Sequence, residues 1–136
     1  MTKLIYSPHA YGKIRINFVG PDVFYQPYFD SPIFPENLPE EWTKLWGYLP
    51  DATGTAIVIG EWGGFLKPGT KDKFWGERFL KYLMENEIGT FFFAFNPNSK
   101  DTAGLVLDDW IQPNENILNF LKPAKSTDVG KIKNLI

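Results

Sequence analysis

The run Ala56-Ile57-Val58-Ile59, followed directly by Gly60-Glu61-Trp62-Gly63-Gly64, constrains the fold more than any other part of the chain. An apolar run without alternation predicts a strand buried on both faces, the pattern of a parallel sheet covered by helices. Glu61 stands where that strand ends. In an α/β barrel, side chains at the strand C-termini form the floor of the active site. The paired glycines permit a sharp turn and leave room for a ligand.

Three strand–helix units are legible around this run. The first strand is read over Lys3–Ser7, ending in Pro8-His9-Ala10-Tyr11-Gly12, and a loop rich in Pro, Asp and aromatics runs from Lys13 to Pro35. Pro39–Leu49 reads as a short helix with Trp42, Leu45 and Trp46 on one face. The second strand is Thr55–Gly60, ending at Glu61. A helix over Asp72–Asn86 follows, with Asp72 as N-cap and Phe74, Trp75, Phe79, Tyr82 and Leu83 as its apolar stripe. The third strand, Gly89–Phe95, ends in the turn Asn96-Pro97-Asn98-Ser99, and Glu115–Leu121 reads as a short helix. Residues 1–122 form the expected domain, and Pro123–Ile136 reads as a polar tail.

Alternating strands and helices predict an α/β architecture with a parallel sheet. Each strand ends in polar groups, His9 and Tyr11, Glu61, then Asn96 and Asn98, which is the pattern of a barrel's active face. A doubly wound sheet would also gather ligands there, but no glycine-rich phosphate loop is present.

Composition narrows the partners. Fourteen basic and sixteen acidic residues give a net charge of −2, with no basic patch for nucleic acid or an anionic membrane. No apolar run approaches the roughly 20 residues of a transmembrane helix. The first residues show neither the apolar stretch nor the cleavage site of a signal peptide. With no Cys and one His, only carboxylates remain as further metal ligands, so neither a metal nor another cofactor is expected. Aromatics make up 17% of the chain, more than a small core needs, and the surplus falls around Phe24–Phe29, Trp42–Tyr48 and Trp62. They either line a surface for flat apolar faces, such as those of sugars, or cap an ordinary core. A carboxylate beside a tryptophan at a barrel mouth suits glycoside chemistry, where the acid acts at the anomeric carbon and the indole stacks on the ring.

Three motifs in order carry a resemblance. Tyr6-Ser7-Pro8-His9-Ala10-Tyr11-Gly12 is similar to the sixth-strand motif of family 5 glycoside hydrolases, the endo-β-1,4-glucanases or cellulases. Gly20-Pro21-Asp22-Val23 and Gln26-Pro27-Tyr28-Phe29 resemble the loop after it. Ile59-Gly60-Glu61-Trp62-Gly63-Gly64 resembles the seventh-strand motif with the nucleophile. Phe95-Asn96-Pro97-Asn98-Ser99, with Asp101, Thr102 and Gly104, resembles the eighth-strand segment. The likeness runs from about Leu4 to Leu121 and implies a partial (β/α)8 barrel of about three βα units, strands six to eight.

The resemblance implies Glu61 as nucleophile of a retaining mechanism, Tyr11 as the donor that orients it, and His9 in the same network. Trp62, Phe95 and Asn98 are the implied substrate contacts. Core packing competes with stacking for Trp62, and a buried backbone-bonded histidine is the alternative for His9. Phe95 stands where the family has a Trp, and Lys13–Val19 looks like an insertion. The family's general acid/base and the arginine beside its nucleophile precede the matched segment, and no carboxyl here pairs with Glu61 by sequence. Asp22, Asp101, Asp108, Asp109 and Glu87 are the candidate substitutes, and none sits at a strand end. The expected ligand is a β-glucan or cello-oligosaccharide. Open strand edges predict a homo-oligomer or a complementing barrel half. Secretion is implied by the family. Carbohydrate binding without turnover, and a structural remnant without ligand, are the alternatives.

Overall fold

The computed structural model describes residues 4–12, 27–99 and 101–124. The Lys13–Val19 insertion, the Gly20–Val23 motif and the tail beyond Ala124 lie outside the described residues.

β3 (Ala56–Gly63) is the central strand of an all-parallel sheet. β1 (Ile5–Tyr6) pairs with its first half and β2 (His9–Tyr11) with its second. β4 (Gly89–Phe92) pairs along the other edge, so Trp62 lies between Ala10 and Phe92. The strand expected over Lys3–Ser7 is thus interrupted at Ser7-Pro8, where Pro8 has no N–H to donate, and resumes through His9–Tyr11. The Pro8 carbonyl still accepts the Gly60 N–H at 3.1 Å. β3 extends past Glu61 to Gly63, and β4 stops three residues short of the expected Phe95.

β3 carries one extra residue relative to both neighbours. From Ile5 to His9 its partner advances four residues while β3 advances five, Ala56 to Glu61. From Thr90 to Phe92 β4 advances two while β3 advances three, Ile59 to Trp62. This is a β-bulge at Gly60-Glu61, and it resets the side-chain alternation. Ile57 and Ile59 are buried on one face, and after the bulge Trp62 takes the buried side.

α3 (Lys71–Glu85) covers that face. Its N-cap is Thr70, whose side chain accepts the Lys73 N–H, so Asp72 sits within the first turn and is not the cap. Trp75, Phe79, Tyr82 and Leu83 are buried as expected, while Phe74 is exposed because its position turns it away from the sheet. Trp75 and Phe79 stack at 5.1 Å, and Trp62 meets Phe79 edge-on at 5.4 Å. α1 (Leu38–Trp42), a wider π turn at Thr43–Gly47 and α2 (Leu49–Thr53) replace the single helix read over Pro39–Leu49. Trp42 and Trp46 pack on Phe79 and Tyr82. Leu45 is exposed, because the wider turn rotates it off the face that its spacing predicts. α4 (Glu115–Leu121) lies where expected and buries Ile117.

The opposite sheet face differs from the expectation of a strand buried on both sides. Ala56 is exposed and Val58 only half-buried, and Ile5 and Phe91 stand 60% and 65% exposed. The described helices cover one face only. None of them is long and apolar enough to cross a membrane.

Candidate active site

Because the strands are parallel, Tyr11, Gly63 and Phe92 end β2, β3 and β4 at the same end of the sheet. His9 is the register partner of Glu61, and Tyr11 that of Gly63. Alternation along β2 puts His9 and Tyr11 on one face, and the bulge turns Glu61 to that face as well.

The Tyr11 hydroxyl donates to Glu61 Oε1, and His9 Nδ1 lies 3.7 Å from the same oxygen. The His9 side chain is 58% exposed and that of Glu61 31%, so a carboxylate here meets both a fixed donor and solvent. His9 is therefore not a buried, backbone-held residue. Burial, then the hydrogen bond to Glu61 and the charges of Glu61 and Asp101, hold the Tyr11 proton well above the usual tyrosine range. Tyr11 consequently remains a donor throughout neutral pH.

The segment after β4 closes the same end. The Phe93 N–H donates to the Trp62 carbonyl at 2.7 Å, and the Ala103 N–H to the Gly64 carbonyl at 3.1 Å. Asn96 Nδ2 donates to Asn98 Oδ1 at 2.7 Å, which fixes the turn. Ser99 Oγ accepts the Asp101 and Thr102 amides and bonds the hydroxyl of the fully buried Thr102. Phe95, 61% exposed, and Asn98 stand on this segment, at the same end as Glu61.

Trp62 departs from its expected role. It is 0% exposed and enclosed by Trp75, Phe79, Phe92 and Phe120. The extra residue at Gly60-Glu61 gives the pleat position toward α3 to Trp62, so its indole face is not open to a sugar. Two acidic residues have roles at this site that their sequence context does not reveal. Asp101 acts on Tyr11 through its charge, although it lies in a loop. Asp72 packs against Gly12 and Gly64, in the loops after β2 and β3, a contact that no local pattern reveals. No group of His, Asp and Glu that could hold a metal ion occurs among the described residues.

The model of the family described as Cellulase (glycosyl hydrolase family 5) matches residues 1–99. The chain is 35% identical over 129 residues to an endoglucanase of Paenibacillus polymyxa, covering 91% of this chain and 30% of that protein. It is 37% identical over 128 residues to the major extracellular endoglucanase of Xanthomonas campestris pv. campestris, covering 92% of this chain and 24% of that one. Among solved structures, a cellotetraose complex of the endocellulase from Pyrococcus horikoshii superposes with a TM-score of 0.72 at 39% identity. That match covers 89% of this chain and 31% of the other. The chain thus spans a third or less of the length of these relatives.

Proposed function

The chain belongs to the cellulase family, glycosyl hydrolase family 5, and on that footing we propose that it carries the nucleophile side of a retaining β-1,4-glucanase. The carrying observation is the Tyr11–Glu61 hydrogen bond at the C-terminal ends of parallel strands, with His9 3.7 Å from the same carboxylate. We read the described strands as three βα units of a (β/α)8 barrel, its sixth to eighth.

In the proposed reaction a Glu61 oxygen attacks the anomeric carbon as the bond to the leaving oxygen breaks. A second carboxyl, about 5–5.5 Å away in retaining enzymes, protonates that oxygen and then activates water to release the sugar. Tyr11 holds the Glu61 oxygen that it bonds, leaving the other free to attack. His9 shares the network, and Phe95 and Asn98 contact the sugar. The second carboxyl comes from outside this chain. The open edges of β2 and β4, and the sheet face bearing Ile5 and Phe91, are where a complementing barrel half or a second copy docks.

The substrate is a β-glucan or cello-oligosaccharide, a reading supported by the endoglucanase relatives and by the cellotetraose bound to the Pyrococcus enzyme. Secretion is proposed on the likeness to an extracellular endoglucanase. The exposed Phe95 favours a second reading, glucan binding without turnover.

The test is reducing-sugar release from soluble β-glucan, by the chain alone and mixed with the remaining part of a related barrel, beside Glu61→Gln. Turnover that disappears in Glu61→Gln supports the nucleophile. Glucan binding without turnover in either preparation supports the second reading, and neither binding nor turnover sinks both. Light scattering separates a second copy from a complementing half.

A further inference from the structure

Asp72 reaches from the first turn of α3 to the two loops that leave the site's strands. Its Oδ2 accepts the Leu66 N–H at 2.7 Å, while Oδ1 is buried without a hydrogen-bond partner among the described residues. Gly12 follows Tyr11 directly, and Gly64 lies three residues after Glu61. Both are buried against this carboxyl. A methyl group on Gly12 would lie 2.5 Å from Oδ1, and one on Gly64 2.5 Å from Oδ1 and 2.7 Å from Oδ2. Neither glycine has a positive φ, so close approach to Asp72 is what excludes a side chain at both positions.

The helix does not require this carboxyl, because Thr70 caps it. A buried polar atom without a partner is costly and calls for a reason. We propose that Asp72 is a positioning residue, a wedge that sets the spacing between the ends of β2 and β3 and so holds Tyr11 in reach of Glu61. One side chain touches the loops on both sides of the hydrogen bond. Burial raises the Asp72 carboxyl's proton affinity against the pull of the Leu66 and Phe65 amides, consistent with its enclosure. The catalytic meaning of the wedge rests on Glu61 being the nucleophile, whereas the geometric claim does not.

The test follows the Tyr11 proton by NMR of ring-labelled tyrosine, assigned with Tyr11→Phe. In the parent, Tyr11 is expected to keep its proton beyond the ordinary tyrosine range near about pH 10. Asp72→Ala is expected to bring that titration down by about one pH unit or more, toward the ordinary value. Asp72→Asn, which retains an acceptor for Leu66 and the same shape, is expected to restore it. Thr70→Ala weakens the helix without touching either loop and is expected to leave it unchanged. An unmoved titration in Asp72→Ala, an equal shift in Thr70→Ala, or a loss in Asp72→Asn equal to that in Asp72→Ala overturns the proposal. Should Asp72→Ala fail to fold, Asp72→Ser is read in the same way. The readout uses no substrate, so an inactive chain counts against the nucleophile and not against the wedge.

Discussion

Glu61 and Trp62 are neighbours in the chain and belong to opposite layers. Trp62 is fully buried among the aromatics of α3, β4 and α4, while Glu61 accepts the Tyr11 hydroxyl on the open side of the sheet. The Gly60-Glu61 bulge explains how one strand serves both. Were the same residues to run as a regular strand with no bulge, Glu61 would continue the alternation of Ile57 and Ile59 and point into the core. Fold and site are therefore joined at one irregularity.

A carboxylate placed two residues earlier on the strand should test this directly. Ile59 is fully buried against α3, so Ile59→Glu puts the charge on the face that Glu61 avoids, at a cost of about 3–5 kcal/mol for an unpaired buried charge. Thermal melts are expected to show an unfolded or severely destabilised chain. Glu61→Ala, by contrast, should change stability by no more than about 0.5 kcal/mol, since the side chain lies outside the core. Equal melts for the two variants would remove the bulge from the explanation.

Trp62 and Phe95 should separate stability from binding. Trp62→Ala empties the centre of the aromatic cluster and is expected to cost about 3–5 kcal/mol. Phe95→Ala touches an exposed ring and should alter stability by no more than about 0.5 kcal/mol. The same change should weaken cello-oligosaccharide binding by the roughly 0.5–1.5 kcal/mol that an aromatic contact contributes. Calorimetry and thermal melts on the two variants decide it. A Phe95→Ala chain that binds cello-oligosaccharide like the parent would take Phe95 out of the site.

The parts of this molecule that follow local rules were legible in the sequence. α3 and α4 lie within a residue of where the sequence puts them, and Glu61, Tyr11 and His9 meet as two of the motifs imply. The misplacements of Trp62 and Leu45 share one cause, a break in periodicity. The bulge sent Trp62 inward, and the π turn at Thr43–Gly47 turned Leu45 outward. Neither irregularity has a residue signature that a pattern of period 2 or 3.6 could reveal. Thr70 is the helix cap, and Asp72 reads as one because capping is a local pattern. Its contact with Gly12 is set by the packing of α3 on the sheet, sixty residues from that glycine.

Removing the Tyr11 hydroxyl should affect turnover far more than fold. Tyr11→Phe keeps the ring and loses the donor that orients Glu61. In the preparation that turns over β-glucan, kcat is expected to fall by about 10²-fold, the typical penalty for a misplaced reacting group. KM should move little, because Tyr11 bonds Glu61, the proposed nucleophile, and not the sugar in this arrangement. A variant that loses KM instead would make Tyr11 a substrate contact.

Alkaline stability should carry the mark of the same hydroxyl. The Tyr11 proton is held more tightly in the folded chain than in the unfolded one, first by burial and then by Glu61. An unfolded tyrosine loses its proton near about pH 10. Above that value the unfolded state binds fewer protons than the folded state, so stability falls as pH rises. The contribution is fully present below about pH 10 and declines above it. Urea-unfolding midpoints of the parent should therefore drop more steeply above about pH 10 than those of Tyr11→Phe, with the two curves converging. Glu61→Gln removes the negative charge and should flatten the parent's decline in part, leaving the share due to burial. Curves that stay parallel between the parent and Tyr11→Phe would mean that the hydroxyl titrates alike in both states and is not held by Glu61.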